Sequence, residues 1–232
     1  MPVDEILNDI EKYDFNYCFV NDGSKDNTLE ILNNIAEKFP DKIIIINQQP
    51  NQGKAEAVRN GILKTLSWKE FDFVGFMDAD MATPIFEMQN LLNIAIHQNK
   101  KMVVGSRIKR LGVNIDRKIS RHLVGRIIAT MISNILELPT YDTQCGAKVF
   151  ETKLAKELFR DKFISKWLFD VELFFRAKLM FKEEIYQMIY EYPLNQWLEK
   201  GDSKVSFWYF LKIPFELYKM KRRYSKQQYN KN

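Results

Sequence analysis

Two aspartates one residue apart are the most informative chemical feature of this 232-residue sequence. Asp78 and Asp80 follow the apolar run 71–77, so we expect them at the end of a buried strand. Like charges this close repel each other, and a divalent cation relieves that repulsion. Carboxylate oxygens suit Mg²⁺ or Mn²⁺, which keeps water ligands and bridges to substrate phosphates. The pair therefore favours a metal site, with a solvated turn as the alternative.

Small and polar residues also follow three other expected strands. These clusters are Asn21-Asp22-Gly23-Ser24, Asn51-Gln52-Gly53-Lys54 and Gly105-Ser106-Arg107. Ligands of open α/β sheets bind outside the carboxyl ends of the strands, so four clusters at one edge indicate a binding cleft, although turns have a similar composition. Lys54 begins an expected helix, where backbone N–H groups and an ammonium group together attract phosphate. The spacing of a Walker A loop is absent.

The elements that must carry these residues alternate along the first two thirds of the chain. Apolar, β-branched runs predict strands at 15–20, 43–46, 71–77 and 102–104. Helical spacing predicts helices at 3–10, 29–39 and 54–66, and another that begins with Thr83 as N-cap and Pro84 in its first turn. Such alternation indicates right-handed βαβ crossovers and a parallel sheet. Later elements are expected as helices near 120–138, 152–159 and 168–181, and strands near 147–151 and 185–192.

The composition limits the class of protein. A chain that is 46% hydrophobic and 28% charged is globular over most of its length. Two cysteines, Cys18 and Cys145, cannot build a disulfide scaffold or a four-cysteine zinc site, so a reducing cytosol is expected. No apolar run reaches the roughly 18 residues of a membrane span, and the first residues lack the order of a signal peptide. We expect a soluble protein, or one bound to a membrane surface.

Longer motifs connect these clusters to a known family. They are Val20–Thr28 (VNDGSKDNT), Asn51–Lys54 (NQGK), Asp78–Asp80 (DAD), Gly105–Arg107 (GSR), Asp142–Lys148 (DTQCGAK) and Trp167–Leu173 (WLFDVEL). In this order they resemble the inverting family 2 glycosyltransferases of the GT-A type, and among them the polyprenyl-phosphate sugar transferases, most of all the dolichyl-phosphate β-glucosyltransferases. The resemblance covers about residues 15 to 210. A D-x-D pair alone is common, whereas the last two motifs are much more specific.

The resemblance implies an α/β fold with a GT-A-type, Rossmann-like, mostly parallel sheet flanked by helices. It also implies that a sugar, first of all glucose, moves from a nucleotide sugar such as UDP-glucose to a dolichyl or undecaprenyl phosphate. The residues it assigns to the nucleotide sugar are Asn21, Asp22, Gly23, Ser24, Gly53, Lys54 and Asp78. Asp78 and Asp80 would hold Mg²⁺ or Mn²⁺ on the diphosphate, with Asp80 as the direct ligand.

The acceptor in such relatives is a lipid phosphate, which needs orientation and charge neutralisation more than a strong general base. The resemblance assigns the acceptor phosphate to Arg107, Arg117, Lys118, Ser120 and Arg121, with Arg107 as the main contact. The carboxylates Asp142, Asp170 and Glu172 could bind sugar hydroxyls or act as a base, and the sequence does not choose between them. The expected catalytic set is Asp80, Arg107, Asp142 and Asp170.

Two features depart from the family pattern. Relatives open with another strand that ends in a Pro-x-Tyr/Phe-Asn-Glu segment and forms part of the nucleotide-base pocket, so residues 1–205 are expected to be a catalytic domain without its N-terminal strand. Asn21 stands where many relatives carry an aspartate, which removes a charge and keeps hydrogen bonding.

The C-terminal segment 206–232 combines an aromatic stretch with a basic tail. Residues 219–232 hold six basic side chains and no acidic one, which accounts for the whole net charge of +5. Aromatic and basic residues favour membrane interfaces, so peripheral attachment to the cytoplasmic face is expected. The alternative is a helix packed on the domain. No nucleic-acid partner is expected, since no base-reading motif is present. Two other functions stay open, a soluble transferase with a polysaccharide or protein acceptor and a catalytically impaired nucleotide-sugar-binding protein.

Overall fold

The structure, a computed structural model, describes residues 2–116, 119–200, 209 and 212–229, without the side chains of 119–124 and 227–229. The helices are α1 (Val3–Lys12), α2 (Thr28–Lys38), α3 (Lys54–Trp68), α4 (Ile85–His97), α5 (Ile119–Leu136), α6 (Thr152–Leu158), α7 (Phe169–Phe181), α8 (Ile185–Met188, after a 3₁₀ turn at Lys182–Glu184) and α9 (Ile213–Tyr229). The strands are β1 (Tyr17–Asp22), β2 (Ile43–Gln48), β3 (Phe73–Met77), β4 (Met102–Ser106), β5 (Asn114–Asp116), β6 (Ala147–Glu151), β7 (Ile189–Pro193) and β8 (Gln196–Leu198). This alternation confirms the α/β fold.

The sheet is mixed rather than purely parallel. Strands β1 and β2 pair in parallel, and a second sheet has the order β3-β6-β4-β7. Strand β4 pairs with β7 in parallel, but β6 runs antiparallel to both β3 and β4. The reversal arises because the loop after α5 returns the chain to the carboxyl end of β3, where Asp78 N–H donates to Gly146 O at 3.0 Å. A short parallel pair, β5 with β8, completes the pairing described.

Strands β1 and β3 belong to separate sheets although helix α3 packs against both. Gly75, in the middle of β3, is exposed, and without a side chain its exposed area is backbone. Among the described residues, no strand pairs with the edge of β1 opposite β2 or with the edge of β3 opposite β6. One further strand would be needed to join these two edges into a continuous sheet.

Two predicted boundaries were wrong. The strand expected near 185–192 begins as helix α8, and only Ile189–Pro193 pairs with β4, because the apolar spacing of Ile185, Met188 and Ile189 suits a helical turn. Helix α4 begins at Ile85 with Pro84 at the N-cap position and no side-chain cap. Thr83 therefore precedes the cap, since a residue before proline is held in extended backbone.

An aromatic core packs beneath the antiparallel strands β3 and β6 and fixes the elements around them. Phe76 and Phe169 have ring centroids 5.9 Å apart, and the rings of Phe150 and Phe159 meet edge-on at 5.5 Å. The first turns of α7 are almost completely buried in this cluster. The position of Phe169 in the core determines where its neighbour Asp170 lies.

Helix α9 packs with one face against the domain. Ile213, Leu217 and Met220 are buried among residues of the main core, while Phe215 and Tyr218 are 71% and 62% exposed. Tyr209, which precedes the helix, contacts its first turn, where the Tyr209 hydroxyl donates a 2.7 Å hydrogen bond to the Glu216 carboxylate. Of the helices in the described ranges, none is long and apolar enough to cross a bilayer.

Candidate active site

The carboxyl ends of β1 and β2 meet at the loop before α3. Asp22, the last residue of β1, accepts hydrogen bonds from the backbone N–H groups of Gln52 and Gly53, both at 2.8 Å. Its Oδ1 also accepts from Gln48 Nε2 at the end of β2, at 2.5 Å. The carboxylate that the sequence assigns to the nucleotide therefore fixes the loop that starts α3.

Asn21, Gly23 and Ser24 shape the same loop from the other side. Asn21 is buried, donates from Nδ2 to Asn47 Oδ1 at 2.9 Å, and accepts the backbone N–H of Ser24 at 3.2 Å. An aspartate could only accept here when ionised, so the amide of Asn21 suits its two partners. Gly23 lies directly against the backbone of Asn51. The structure thus brings together all the residues predicted at this strand end.

Lys54 connects the loop to the aspartate pair. Its Nζ lies 2.6 Å from Asp78 Oδ1, and about one third of each side chain is exposed. Burial opposes the charged ammonium, but Asp78 and then Asp170 outweigh it, so the pKa of Lys54 is raised. An ammonium group at the N-terminus of α3 is therefore held charged at the rim of the cleft.

Gly146 determines the position of Asp78. A Cβ on residue 146 would lie 2.1 Å from Asp78 Oδ2, so only glycine leaves room for the carboxylate. The backbone bond from Asp78 N–H to Gly146 O fixes the same two residues to each other. The close approach explains a glycine in the DTQCGAK motif.

Asp80 lies in the turn after β3 and is exposed. Its Oδ1 accepts the backbone N–H of Ala82 at 2.9 Å. No three carboxylate, imidazole or thiol groups converge in the part of the chain that the structure describes. A metal at this rim would therefore take Asp80 and Asp78 from the protein and its other ligands from water and phosphate, which is the usual coordination of Mg²⁺. The carboxylate oxygens of the two aspartates are suitable ligands for such an ion. Asp78 is already in contact with one cation, the ammonium group of Lys54.

Arg107, at the end of β4, is paired rather than free. Its Nε donates to Asp142 Oδ2 at 2.6 Å and its Nη2 to Asp142 Oδ1 at 2.8 Å, a bidentate arrangement. The guanidinium carbon lies 5.3 Å from the ring centroid of Trp197. Burial opposes the charge, but Asp142 outweighs it and raises the pKa of Arg107, so the guanidinium stays charged.

The pairing gives the Asp142 carboxylate a contact with Arg107, whereas its role with sugar hydroxyls or as a base stays a prediction. Asp142 is buried, and the guanidinium of Arg107 neutralises the charge of its carboxylate. Glu191 on β7 accepts the backbone N–H groups of Tyr141 and Asp142, at 2.8 and 2.6 Å. Burial raises the pKa of Glu191. Glu191 was missed by sequence reasoning because only the pairing of β7 with β4 brings it here.

Asp170 lies beneath the cleft, paired with Lys148. Lys148 is fully buried, and its Nζ donates to Asp170 Oδ1 at 2.5 Å and to Cys145 O at 2.6 Å. Burial raises the pKa of Asp170, and the ammonium groups of Lys148 and Lys54 oppose that shift. The sequence motif contained Lys148 but gave no reason to assign it a role.

Glu172, one of the three carboxylates between which the sequence did not choose, lies in the core rather than at the cleft. It is fully buried, and its oxygens accept Ile164 N–H, Arg176 Nη2 and the Tyr224 hydroxyl, at 2.7, 2.9 and 2.5 Å. These contacts tie the loop after α6 and helix α9 to α7.

Lys166 is a cation at the cleft that sequence reasoning also missed. Its side-chain carbons come within 3.4 Å of the position that a Cβ on Gly53 would take, so the side chain crosses the start of α3. It lies in an irregular loop whose path follows from tertiary contacts rather than from a motif. The expected acceptor residues Arg117, Lys118, Ser120 and Arg121 fall outside the described side chains.

Comparison with known proteins fits this geometry. Residues 3–159 match the family described as glycosyl transferase family 2. The chain belongs to this family. A dolichyl-phosphate beta-glucosyltransferase of Trichomonas vaginalis is 34% identical over 203 residues, 85% of this chain and 57% of that protein. The human dolichyl-phosphate beta-glucosyltransferase is 30% identical over 241 residues, 97% of this chain and 71% of that protein. The chain thus spans little more than half of the Trichomonas relative.

Solved structures agree on the GT-A fold. Glucosyl-3-phosphoglycerate synthase from Mycobacterium tuberculosis, with Mn²⁺, UDP-glucose and phosphoglyceric acid, superposes with a TM-score of 0.63 at 15% identity, covering 94% of this chain and 74% of that one. Mannosyl-3-phosphoglycerate synthase from Rubrobacter xylanophilus gives 0.62 at 12% identity, covering 98% and 69%. Both the family and the fold expected from the motifs are confirmed.

Proposed function

We propose that this protein transfers glucose, with inversion, from UDP-glucose to a polyprenyl phosphate of the dolichyl type. The observation that carries the proposal is a pair of charged sites after the carboxyl ends of β3 and β4, the two strands that flank β6. These sites are Lys54 with Asp78 and Arg107 with Asp142. One site suits a diphosphate and the other an acceptor phosphate. The family and the two dolichyl-phosphate glucosyltransferases support the choice of sugar and lipid.

The donor diphosphate would lie at the rim formed by Asp78, Asp80 and the start of α3. The ammonium of Lys54 and the helix N-terminus offset negative phosphate charge there. Mg²⁺ or Mn²⁺ held by Asp80 and Asp78 would act as a Lewis acid on the departing diphosphate. Lys166, whose side chain passes close to Gly53 at the start of α3, adds a further cation near this rim.

The acceptor phosphate would bind at Arg107, with the residues of 117–121 as further partners. A phosphate monoester is anionic at neutral pH, so its oxygen attacks the anomeric carbon without first losing a proton. The new C–O bond forms as the bond to UDP breaks, and UDP leaves with the electron pair. Attack from the face opposite the leaving group inverts the configuration. Asp142 and Asp170 then orient Arg107 and Lys148 and need not act as a base.

The lipid acceptor implies a membrane surface, which we place on the cytoplasmic side. Helix α9 supports this placement, since its outer face carries the exposed aromatic residues Phe215 and Tyr218 beside the exposed cations Lys219 and Arg222. Aromatic rings and cations in this arrangement favour the headgroup region of anionic membranes. We also propose that residues 1–205 form the catalytic domain and that 206–232 form an attached helix and tail.

The decisive experiment incubates the purified protein with radiolabelled UDP-glucose, Mn²⁺ or Mg²⁺, and citronellyl phosphate as a short soluble acceptor. We expect a glucosylated lipid phosphate and its loss in Asp80→Ala. The matched control is Asp72→Ala, at an exposed aspartate next to the amino end of β3, the end opposite to Asp80. Binding of UDP-glucose without turnover would favour the impaired binding protein. Transfer to a polysaccharide or protein, and to no lipid phosphate, would overturn the proposed acceptor.

A further inference from the structure

The loop between β4 and β5 carries the most exposed large apolar side chain of the described residues. Leu111 is fully exposed, and both Lys109 and Arg110 ahead of it are exposed as well. Gly112 follows with a φ of +81° and has no atom within 4 Å of the position of a Cβ. The chain therefore makes a sharp turn whose tip stands clear of the domain.

The tip differs from the apolar residues that are exposed on helices. Ile96, Met180 and Tyr186 lie on helices α4, α7 and α8, where the outer face of the helix makes some exposure unavoidable. Leu111 lies in a turn, and no helix or strand requires a leucine there. A single apolar side chain next to two cations is too small for a stable protein interface, which buries roughly 800 Å² on each partner. The combination suits a lipid surface, where the leucine enters the acyl boundary and the cations stay among the phosphates.

The base of the loop is anchored to the candidate active site. The backbone N–H of Arg107 donates to Asp142 at 3.2 Å, and the backbone of Ser106 accepts Leu194 N–H at 2.9 Å. Arg110 donates to Asn195 Oδ1 at 3.2 Å. The tip is therefore fixed relative to the guanidinium of Arg107 rather than free to fold over it.

We propose that the turn Lys109–Gly112 is a membrane anchor that inserts Leu111 into an anionic bilayer and sets Arg107 at the level of the lipid headgroups. Leu111 is the fourth residue after Arg107, so their Cα atoms lie within about 14 Å of each other. Apolar faces of interfacial elements penetrate about 5–10 Å into the boundary between headgroups and acyl chains. The phosphate of a membrane-embedded acceptor and the guanidinium would then occupy the same layer. This inference rests on the proposed lipid acceptor.

The test compares a membrane-embedded acceptor with a soluble one. Leu111→Ser and Lys109→Glu are each assayed for flotation with phosphatidylcholine vesicles containing phosphatidylglycerol, and for glucose transfer to a long polyprenyl phosphate in those vesicles and to citronellyl phosphate in solution. We expect Leu111→Ser to lower vesicle binding and transfer to the embedded acceptor about tenfold, the approximate contribution of burying one leucine. Lys109→Glu should lower vesicle binding and transfer to the embedded acceptor more on vesicles that contain phosphatidylglycerol than on vesicles of phosphatidylcholine alone. Transfer to citronellyl phosphate should be unchanged in both variants.

Ile96→Ser, at an exposed isoleucine on α4, serves as the matched control and should bind vesicles as the unchanged protein does. Equal flotation and equal rates for Leu111→Ser and the unchanged protein would overturn the anchor. The anchor would equally be overturned if Phe215→Ser/Tyr218→Ser on α9 abolished flotation and Leu111→Ser left it intact. If no glucose reached either acceptor, the proposed function would fail, while the flotation of Leu111→Ser would still decide the anchor.

Discussion

Replacing Gly146 by alanine would show whether catalysis depends on the exact position of Asp78. The new Cβ would lie 2.1 Å from Oδ2 and 2.3 Å from Cγ of Asp78, well inside van der Waals contact. The carboxylate must therefore move by about 1 Å or rotate away, since side chains in close-packed regions respond to a single added methyl group. The 2.6 Å contact with Lys54 Nζ would be lost with it.

The expected effect on activity is much larger than the effect on stability. A misplacement of about 1 Å at a reacting centre costs on the order of 100-fold in rate, which is about 2.7 kcal/mol of transition-state stabilisation. The Lys54–Asp78 pair is about one third exposed, and exposed ion pairs contribute at most about 1 kcal/mol. The clash involves the end of a side chain rather than backbone, so the fold accommodates it.

The assay is glucose transfer to citronellyl phosphate, with thermal unfolding measured on the same samples. Gly61→Ala, in the middle of α3, is the control for adding a methyl group to a buried glycine. The decisive comparison repeats Gly146→Ala in an Asp78→Ala background, where no carboxylate remains to be displaced. Full activity of Gly146→Ala would refute the reasoning, and so would a loss that adds in full to that of Asp78→Ala.

Two further predictions concern buried groups near the site. Lys148→Met should lower the free energy of unfolding in urea by about 3–5 kcal/mol, because it leaves Asp170 buried without its cation. The double variant Lys148→Met/Asp170→Asn should recover most of this loss. If the double variant were as unstable as Lys148→Met, the pairing would be contradicted. Burial, and then Asp142, raises the pKa of Cys145 to about 12, from 9.0 for an unperturbed thiol. The stabilisation associated with the protonated thiol is complete below pH 9 and is lost as the pH rises towards 12. In urea titrations at pH 8 and pH 10.5, Cys145→Ala should therefore lose less stability with rising pH than the unchanged protein does. Identical losses in the two proteins would contradict the raised pKa.

The sequence predicted those parts of the site that are local in the chain. The apolar runs before Asp22 and Asp78 identified β1 and β3, and the polar residues after them necessarily lie at the ends of those strands. Lys54 was placed correctly because the start of α3 is encoded by its own residues.

The missed contacts depend on pairing between distant segments. Lys148 reaches Asp170 across 22 residues, and Asp142 reaches Glu191 across 49. Both depend on the direction of β6 and on β7 lying beside β4, which apolar periodicity does not specify. The distinctive motif around Glu172 could not show that this carboxylate is in the core, because the burial of α7 on all sides depends on the elements packed around it.

The charges of the site are arranged as three separate ion pairs before any substrate binds. Lys54 pairs with Asp78, Lys148 with Asp170 and Arg107 with Asp142. Each of these three cations already has a carboxylate partner, so the negative charge of a bare diphosphate would be only partly offset at this rim, by the start of α3 and by Lys166. A diphosphate that arrives as its Mg²⁺ or Mn²⁺ complex is much closer to neutral and adds a cation beside the exposed carboxylate of Asp80. Electrostatics therefore favours binding of the metal complex over binding of the free nucleotide sugar. The reason is the one that pairs each buried cation of the site with a carboxylate: a charge that leaves water without an opposite charge beside it costs free energy.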